Sequence, residues 1–418
     1  MSDSKKQKWV FPARFRRNAY SWRGSKPAAK RIKEAVREIR KAARSDPALG
    51  AEGAVRFMEK LSPALEHIDT SSGTLGTAVD NAIEVIAPMI AGADVPDALR
   101  DKWLERLWQA VEEDEIPYLE QLSDYWGDLC VTAERANRWA EEFLPATRLV
   151  LSPNRQRRYI YFKGTSACLS ALLTAGRYQD ILDLLGIEPD NIWSYTQYGV
   201  KALLASDRPA EALQYAEKCR GLNQPDGIIS QTCEEILLSR GKFDEAYRLY
   251  AIEANQRNTY LATFRAIMRK YPDMEPAEIL QDLVASTPGS EGKWFAAARS
   301  AGLLDEALHL ARSSPCEPKT LIRAVGELTA EKPEIAVEIG LAALHWLAEG
   351  YGYEITGVDV MDAVRKTLKA GAKAGNIQEI EIRIKRMVKV APDVDQFFEN
   401  YAEMELLRYM SKRLDSRN

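Results

Sequence analysis

From residue 25 onward the apolar positions of this chain recur in steps of three and four. Ile32, Ala35, Val36 and Ile39 form one such set, Trp103, Leu104, Leu107 and Trp108 a second, and Leu119, Leu122 and Trp126 a third. That spacing lays the apolar side chains along one face of an α-helix, whereas the two-residue alternation of a half-buried strand is scarce. The pattern predicts an all-α chain of short helices joined by turns. A first helix is expected over Ala28–Arg44, with Ser25 as its N-cap and Pro27 in its first turn, ended by Asp46-Pro47. Further helices are expected near Glu52–His67 and Leu75–Ala91, separated by the polar run 69–74. In the block 96–145 the aromatic residues Trp103, Trp108, Tyr118, Tyr125, Trp126, Trp139 and Phe143 fall on helical spacing and are read as core filling between helices. Residues 1–25 show no helical period and are read as an extended or irregular arm.

A second pattern, of longer period, appears after Gly164. A turn residue is followed five positions later by a small or apolar residue, giving Gly176 and Ile181, Asp207 and Ala212, Gly241 and Ala246, Gly302 and Ala307, Glu331 and Ala336, Gly375 and Ile380. The intervals between turn residues are 31, 34, 61, 29 and 44. A degenerate copy at Pro272–Ala277 divides the interval of 61, and an insertion near Glu349–Asp359, with Gly350, Gly352 and Gly357, lengthens the last. The underlying period is about 30–34 residues, the length of one helical hairpin.

The fullest copy, Gly241-Lys242-Phe243-Asp244-Glu245-Ala246, resembles the tetratricopeptide repeat over roughly Gly164–Ala391. In that family a small residue ends the first helix, an aromatic two positions on plugs the hairpin, and Glu-Ala opens the second helix. Phe243 and Tyr178 are then expected to cover hairpin apices, and Ala246 and Ala307 to let paired helices approach closely. The resemblance implies an α-solenoid, a right-handed superhelical array of antiparallel hairpins that serves as an interaction scaffold with a protein or peptide on its concave face. The family's Trp-Leu-Gly signature is not in register here, and its terminal proline appears only at places such as Pro189 and Pro225. No peptide-contact residue of the family therefore carries over. The chain divides into an arm at 1–25, an N-terminal helical region at 26–150 read as continuing the array, TPR-like repeats at 151–391, and a capping helix at 392–418.

Charge changes this picture at one end. The formal net charge is −4, yet residues 1–44 hold 15 Lys and Arg against 3 Asp and Glu, a surplus of +12 that leaves −16 for the rest. Arg14, Arg16, Arg17 and Arg23, with Lys26, Lys30, Arg31 and Lys33 beyond them, are interleaved or followed on from Trp9, Phe11, Phe15, Tyr20 and Trp22. Cations with stackable rings suit an unpaired nucleic-acid strand, RNA or single-stranded DNA. A cluster at Arg155, Arg157 and Arg158, next to Tyr159 and Tyr161, repeats the theme. The competing expectation is an arm folded onto the acidic body, its rings docked and its cations paired.

Catalytic chemistry is not marked. The three histidines His67, His309 and His345 lie far apart, and no HExxH, CxxC, GxxxxGK[ST] or GxSxG pattern occurs, so the chain is read as a binding protein without cofactor or metal, an enzyme whose site assembles only in space being kept as a further alternative. The acidic run Glu112–Glu115 is read as a solvated helix end, and 70–74 as a capped loop, ahead of a cation or phosphate site. Five scattered cysteines without CxxC spacing are expected to be buried and reduced, as in a cytoplasmic protein. Ala82–Val95, read as the longest weakly charged stretch, is too short to span a membrane, which needs about 20 apolar residues. Oligomeric state is left open by the sequence.

Overall fold

The computed structural model describes residues 8–69, 71, 73–152, 161–186, 192–221, 224–390 and 396–415, and every regular element among them is a helix. Two compact units emerge, Met1–Ile229 and Ser230–Asn418.

The first unit opens with α1 (Ser25–Ser45), α2 (Pro47–Leu65), α3 (Thr74–Ala91), α4 (Asp97–Glu112), α5 (Trp126–Cys130) and α6 (Ala133–Leu151). α1 packs on α2 and α3, α2 on α4, and α3 on α5. Ser25 is the first helical residue and not the cap. Gly24 holds the N-cap position without a side-chain bond, its carbonyl accepting from Ala28 N at 2.9 Å. Asp46 closes α1 and caps α2, its carboxylate accepting from Leu49 N at 3.0 Å, so α2 begins five residues before the expected Glu52. The aromatic block behaves as core. Trp103, Trp126 and Phe143 are buried, and Trp126 meets Trp139 edge to face at 5.1 Å while Trp108 stands 4.5 Å from Phe143.

Hairpins follow. They are α7 (Thr165–Thr174) with α8 (Tyr178–Leu185), α9 (Trp193–Ala205) with α10 (Pro209–Lys218), α11 (Asp226–Ser239) with α12 (Phe243–Ala254), α13 (Tyr260–Lys270) with α14 (Pro276–Ala285), α15 (Phe295–Ser300) with α16 (Leu304–Ser313), α17 (Pro318–Leu328) with α18 (Pro333–Ala348), and α19 (Gly357–Ala374) with α20 (Ile377–Val390); α21 (Gln396–Asp415) comes last. Each turn residue read from the sequence lies between the two helices of one hairpin. Gly176, Asp207, Gly241, Gly302 and Gly375 take φ of +74°, +56°, +69°, +78° and +81°. At Gly241 the amide donates to Leu238 O at 3.0 Å and the next amide, Lys242 N, donates to Leu237 O at 3.0 Å, a left-handed helix end that satisfies the last carbonyls. The residue five positions on is fully buried in all six copies, from Ile181 to Ile380.

Two expectations fail at this level. Phe243 does not cover its apex but is 55% exposed, whereas Tyr178 is half-buried against the core. In the degenerate copy Ala277 is exposed, and Ile279 and Leu280 supply the buried positions instead.

Alternate helices pack on one another, α7 on α9 in the first unit, and α13 on α15, α16 on α18, α17 on α19, and α18 on α20 in the second. The second unit also holds a buried carboxylate. Glu234 on α11 accepts from Tyr271 Oη at 2.7 Å, Asn255 Nδ2 at 2.8 Å and Lys270 Nζ at 2.6 Å. A charge so enclosed is tolerated because every face of it meets a donor.

Candidate polyanion interface

Residues 8–24 lie against α1 and α2. Phe11 and Phe15 are buried and both meet Phe57 edge to face, at 5.6 and 5.1 Å. Trp9 rests on Gly53, where even a methyl group would stand 2.4 Å from the indole. The backbone is held as well. Val10 N and Phe11 N donate to the Glu38 carboxylate at 2.6 and 3.1 Å, Asn18 N to Pro63 O at 3.0 Å, and Asp69 N to Trp22 O at 3.0 Å. Residues 8–24 hold one 3₁₀ turn, at Phe11–Ala13, and are docked on the helices.

The rings and the cations part company here. Of the five aromatics that could stack on bases, Phe11 and Phe15 belong to the core, Trp9 and Tyr20 pack against it, and Trp22 alone is largely exposed, at 66%. Among the cations, Arg14 and Arg31 both donate to Glu34, at 2.5 and 2.6 Å, and Arg17 approaches Glu66 at 3.9 Å. The Arg31 hydrogen bond, working against desolvation and joined by the charges of Arg31, Arg14 and Lys30, holds the Glu34 carboxyl below its usual range. Arg16 and Arg23 are exposed and make no ion pair among the described residues.

The larger feature lies on α1 itself. Ala28, Ile32, Ala35 and Ile39 are its buried stripe. Lys26, Lys30, Lys33, Arg37, Arg40 and Arg44 follow one another at steps of four, three, four, three and four, and at 100° per residue that row runs opposite the buried one. All six are exposed, and none forms an ion pair among the described residues. The row extends about 27 Å at 1.5 Å per residue. The helix's two acids, Glu34 and Glu38, stand to its side and are engaged with Arg14, Arg31 and the backbone of residues 10 and 11. Of this row the composition of the arm pointed to Lys26, Lys30 and Lys33; the spacing that adds Arg37, Arg40 and Arg44 was present in the sequence and identifies them.

Arg155, Arg157 and Arg158 lie outside the described residues. The remaining chemical candidates find structural roles. Asp114 is buried, accepting from Ser62 Oγ and from Leu119 N, and is not the solvated residue expected. Lys163 places its ammonium at the end of α4, donating to the carbonyls of Val111, Glu112 and Asp114 at 3.0, 2.9 and 2.5 Å. Among the described residues no group of His, Cys, Asp and Glu is arranged to hold a metal. All five thiols are buried and unbridged, and desolvation pushes Cys130 and Cys316 up to about 12 and Cys168 up to about 11, which disfavours the reactive thiolate. No helix among the described residues is long and apolar enough to cross a membrane. No protein-family model matches the chain, and no curated protein matches its sequence.

Proposed function

We propose that the chain is a TPR-like helical-repeat binding protein that grips a nucleic-acid strand, RNA or single-stranded DNA, on the outer face of α1. One observation carries this: six cations, none in an ion pair among the described residues, form a single row on a helix whose opposite face is buried, in a chain whose remainder has a surplus of acids. A row of exposed ammonium and guanidinium groups, spaced 4.5–6 Å by the helix rise of about 1.5 Å per residue, matches a chain of phosphates, and each contact releases a condensed counterion. Trp22, exposed at the start of the helix beside Arg23, adds a ring on which one base can stack. The test is the salt dependence of binding to a labelled oligonucleotide. Six phosphate contacts on a single strand give a slope of about −4 in log affinity against log salt. Absence of binding at low salt, or an affinity indifferent to salt, overturns it.

The packing of alternate helices from α13 to α20 supports a second reading, the interaction scaffold, in which hairpins wind as a right-handed superhelical array and the first helix of each lines a concave surface for a protein or peptide. Cross-links from a captured partner to α13, α15 and α17 would support it; cross-links confined to α1 would not.

A further inference from the structure

A cavity of about 320 Å³ opens in the second unit between the loop joining α12 to α13 and the C-terminal end of α14. Tyr260 and Trp294 stand together in its wall, ring centroids 4.7 Å apart and nearly perpendicular. Trp294 is buried and its indole N–H donates to Thr287 Oγ1 at 2.8 Å, which fixes that ring. The rim is polar and consecutive. Gln256, Arg257 and Asn258 are exposed, and neither amide side chain has a hydrogen-bond partner among the described residues. The Arg257 guanidinium spends one N–H on the Gln256 carbonyl at 3.1 Å and meets no carboxylate among the described residues. Lys293 Nζ stands 5.7 Å from the Tyr260 ring centroid, also without an acidic partner among the described residues.

No carboxylate lines this cavity, although the chain carries 61 Asp and Glu. The contrast with the cavity of about 430 Å³ in the first unit is direct, since Asp101, Glu105, Glu112 and Glu142 line that one against a single Arg138. A volume at the low end of the ~300–1,000 Å³ range of small-molecule sites admits one compact ligand. Arg257, the cation that lines the cavity, has no acidic partner among the described residues and asks for an anion, the aromatic pair for a planar ring, and the Gln256 and Asn258 amides for hydrogen-bonding ring edges.

We propose that this cavity binds a nucleoside 5′-monophosphate, its phosphate on Arg257, its base against Tyr260 and Trp294, and the base edge read by Gln256 and Asn258. The site stands independently of α1. The experiment is isothermal titration of AMP, GMP, CMP and UMP, with adenosine and inorganic phosphate as partial ligands, in a Lys30→Glu/Lys33→Glu/Arg37→Glu background that removes anion binding on α1. At least one nucleotide should saturate with a Kd below about 1 mM, and Arg257→Glu, at an exposed position, should weaken it about tenfold or more with the urea midpoint unmoved. Adenosine and phosphate should each bind more weakly than AMP. The proposal is overturned if none of the four nucleotides saturates in this background, or if Arg257→Glu leaves the affinity unchanged.

Discussion

Arg135 and Arg37 belong to the same unit and have opposite surroundings. Arg135 is 6% exposed in its side chain and donates to Asp101 at 2.7 Å, Asp97 at 2.5 Å and the Cys130 carbonyl at 2.7 Å. Arg106 is treated alike, bridging Glu52 and Glu59 on α2 at 2.9 and 2.7 Å, and those hydrogen bonds, Glu59's first, raise its pKa further despite burial. Arg37 and its five companions on α1 have no such partner among the described residues. The difference is one of position on the helix. A cation beside a packing seam lies within reach of carboxylates from the next helix, whereas one on the far side of the seam is separated from them by the helix's own diameter of about 10–12 Å. Carboxylates at the seams therefore pair with Arg106 and Arg135, while the outer row of α1 meets none among the described residues.

The contrast can be broken from either side. Arg135→Ala should cost about 3 kcal/mol in a urea melt, because Asp101 and the Cys130 carbonyl lose their shared donor in a partly buried place, and should leave oligonucleotide affinity unchanged. Reversing three members of the outer row, Lys30→Glu/Lys33→Glu/Arg37→Glu, should do the converse, lowering affinity about a hundredfold at moderate salt with the urea midpoint unmoved. Equal losses of stability in both variants would erase the distinction. Gly241→Ala, at φ +69°, tests the hairpin turns and should cost about 1 kcal/mol by forcing a Cβ into the left-handed region.

Smaller effects sharpen the same contrast. Glu338 is partly desolvated, which alone would raise its pKa, but hydrogen bonds from Arg383 and Arg312 outweigh that and hold it below 4.5. A carboxyl whose folded pKa is depressed stabilises the fold above its unfolded pKa and loses that contribution as pH falls through the folded value. Urea midpoints measured downward from pH 5 should fall less steeply in Glu338→Gln than in the parent chain. Smallest of all, Asp207→Gly should stabilise by a few tenths of a kcal/mol, since Asp207 takes φ +56° where its sister turns use glycine.

Much of the fold was legible because two periods overlap in the sequence. Steps of three and four marked the helices, and the turn residues marked where they fold back; Gly176, Gly241, Gly302 and Gly375 are readable because glycine enters the left-handed region with little strain. Element ends were less legible. Ser25 looked like a cap by residue type, yet the preceding glycine takes that place, and Asp46 serves two helices at once. The interface was half legible. The charge surplus of residues 1–44 and the spacing of Lys26 to Arg44 can be counted, but the fate of Phe11 and Phe15 depends on Phe57, more than forty residues away.

By itself the sequence determined that the chain is helical, where its hairpins turn, and that its cations gather at one end. Those are local properties, fixed by backbone preferences and by the charge of neighbouring residues. Tertiary structure decided which rings of residues 8–24 are buried and which one is exposed, and that the ammonium of Lys163 fills the end of α4. It also decided that Tyr260 and Trp294 share a cavity free of carboxylates. Each of these depends on residues tens of positions apart meeting in space, and helical periodicity states which face a residue occupies without stating what that face will meet.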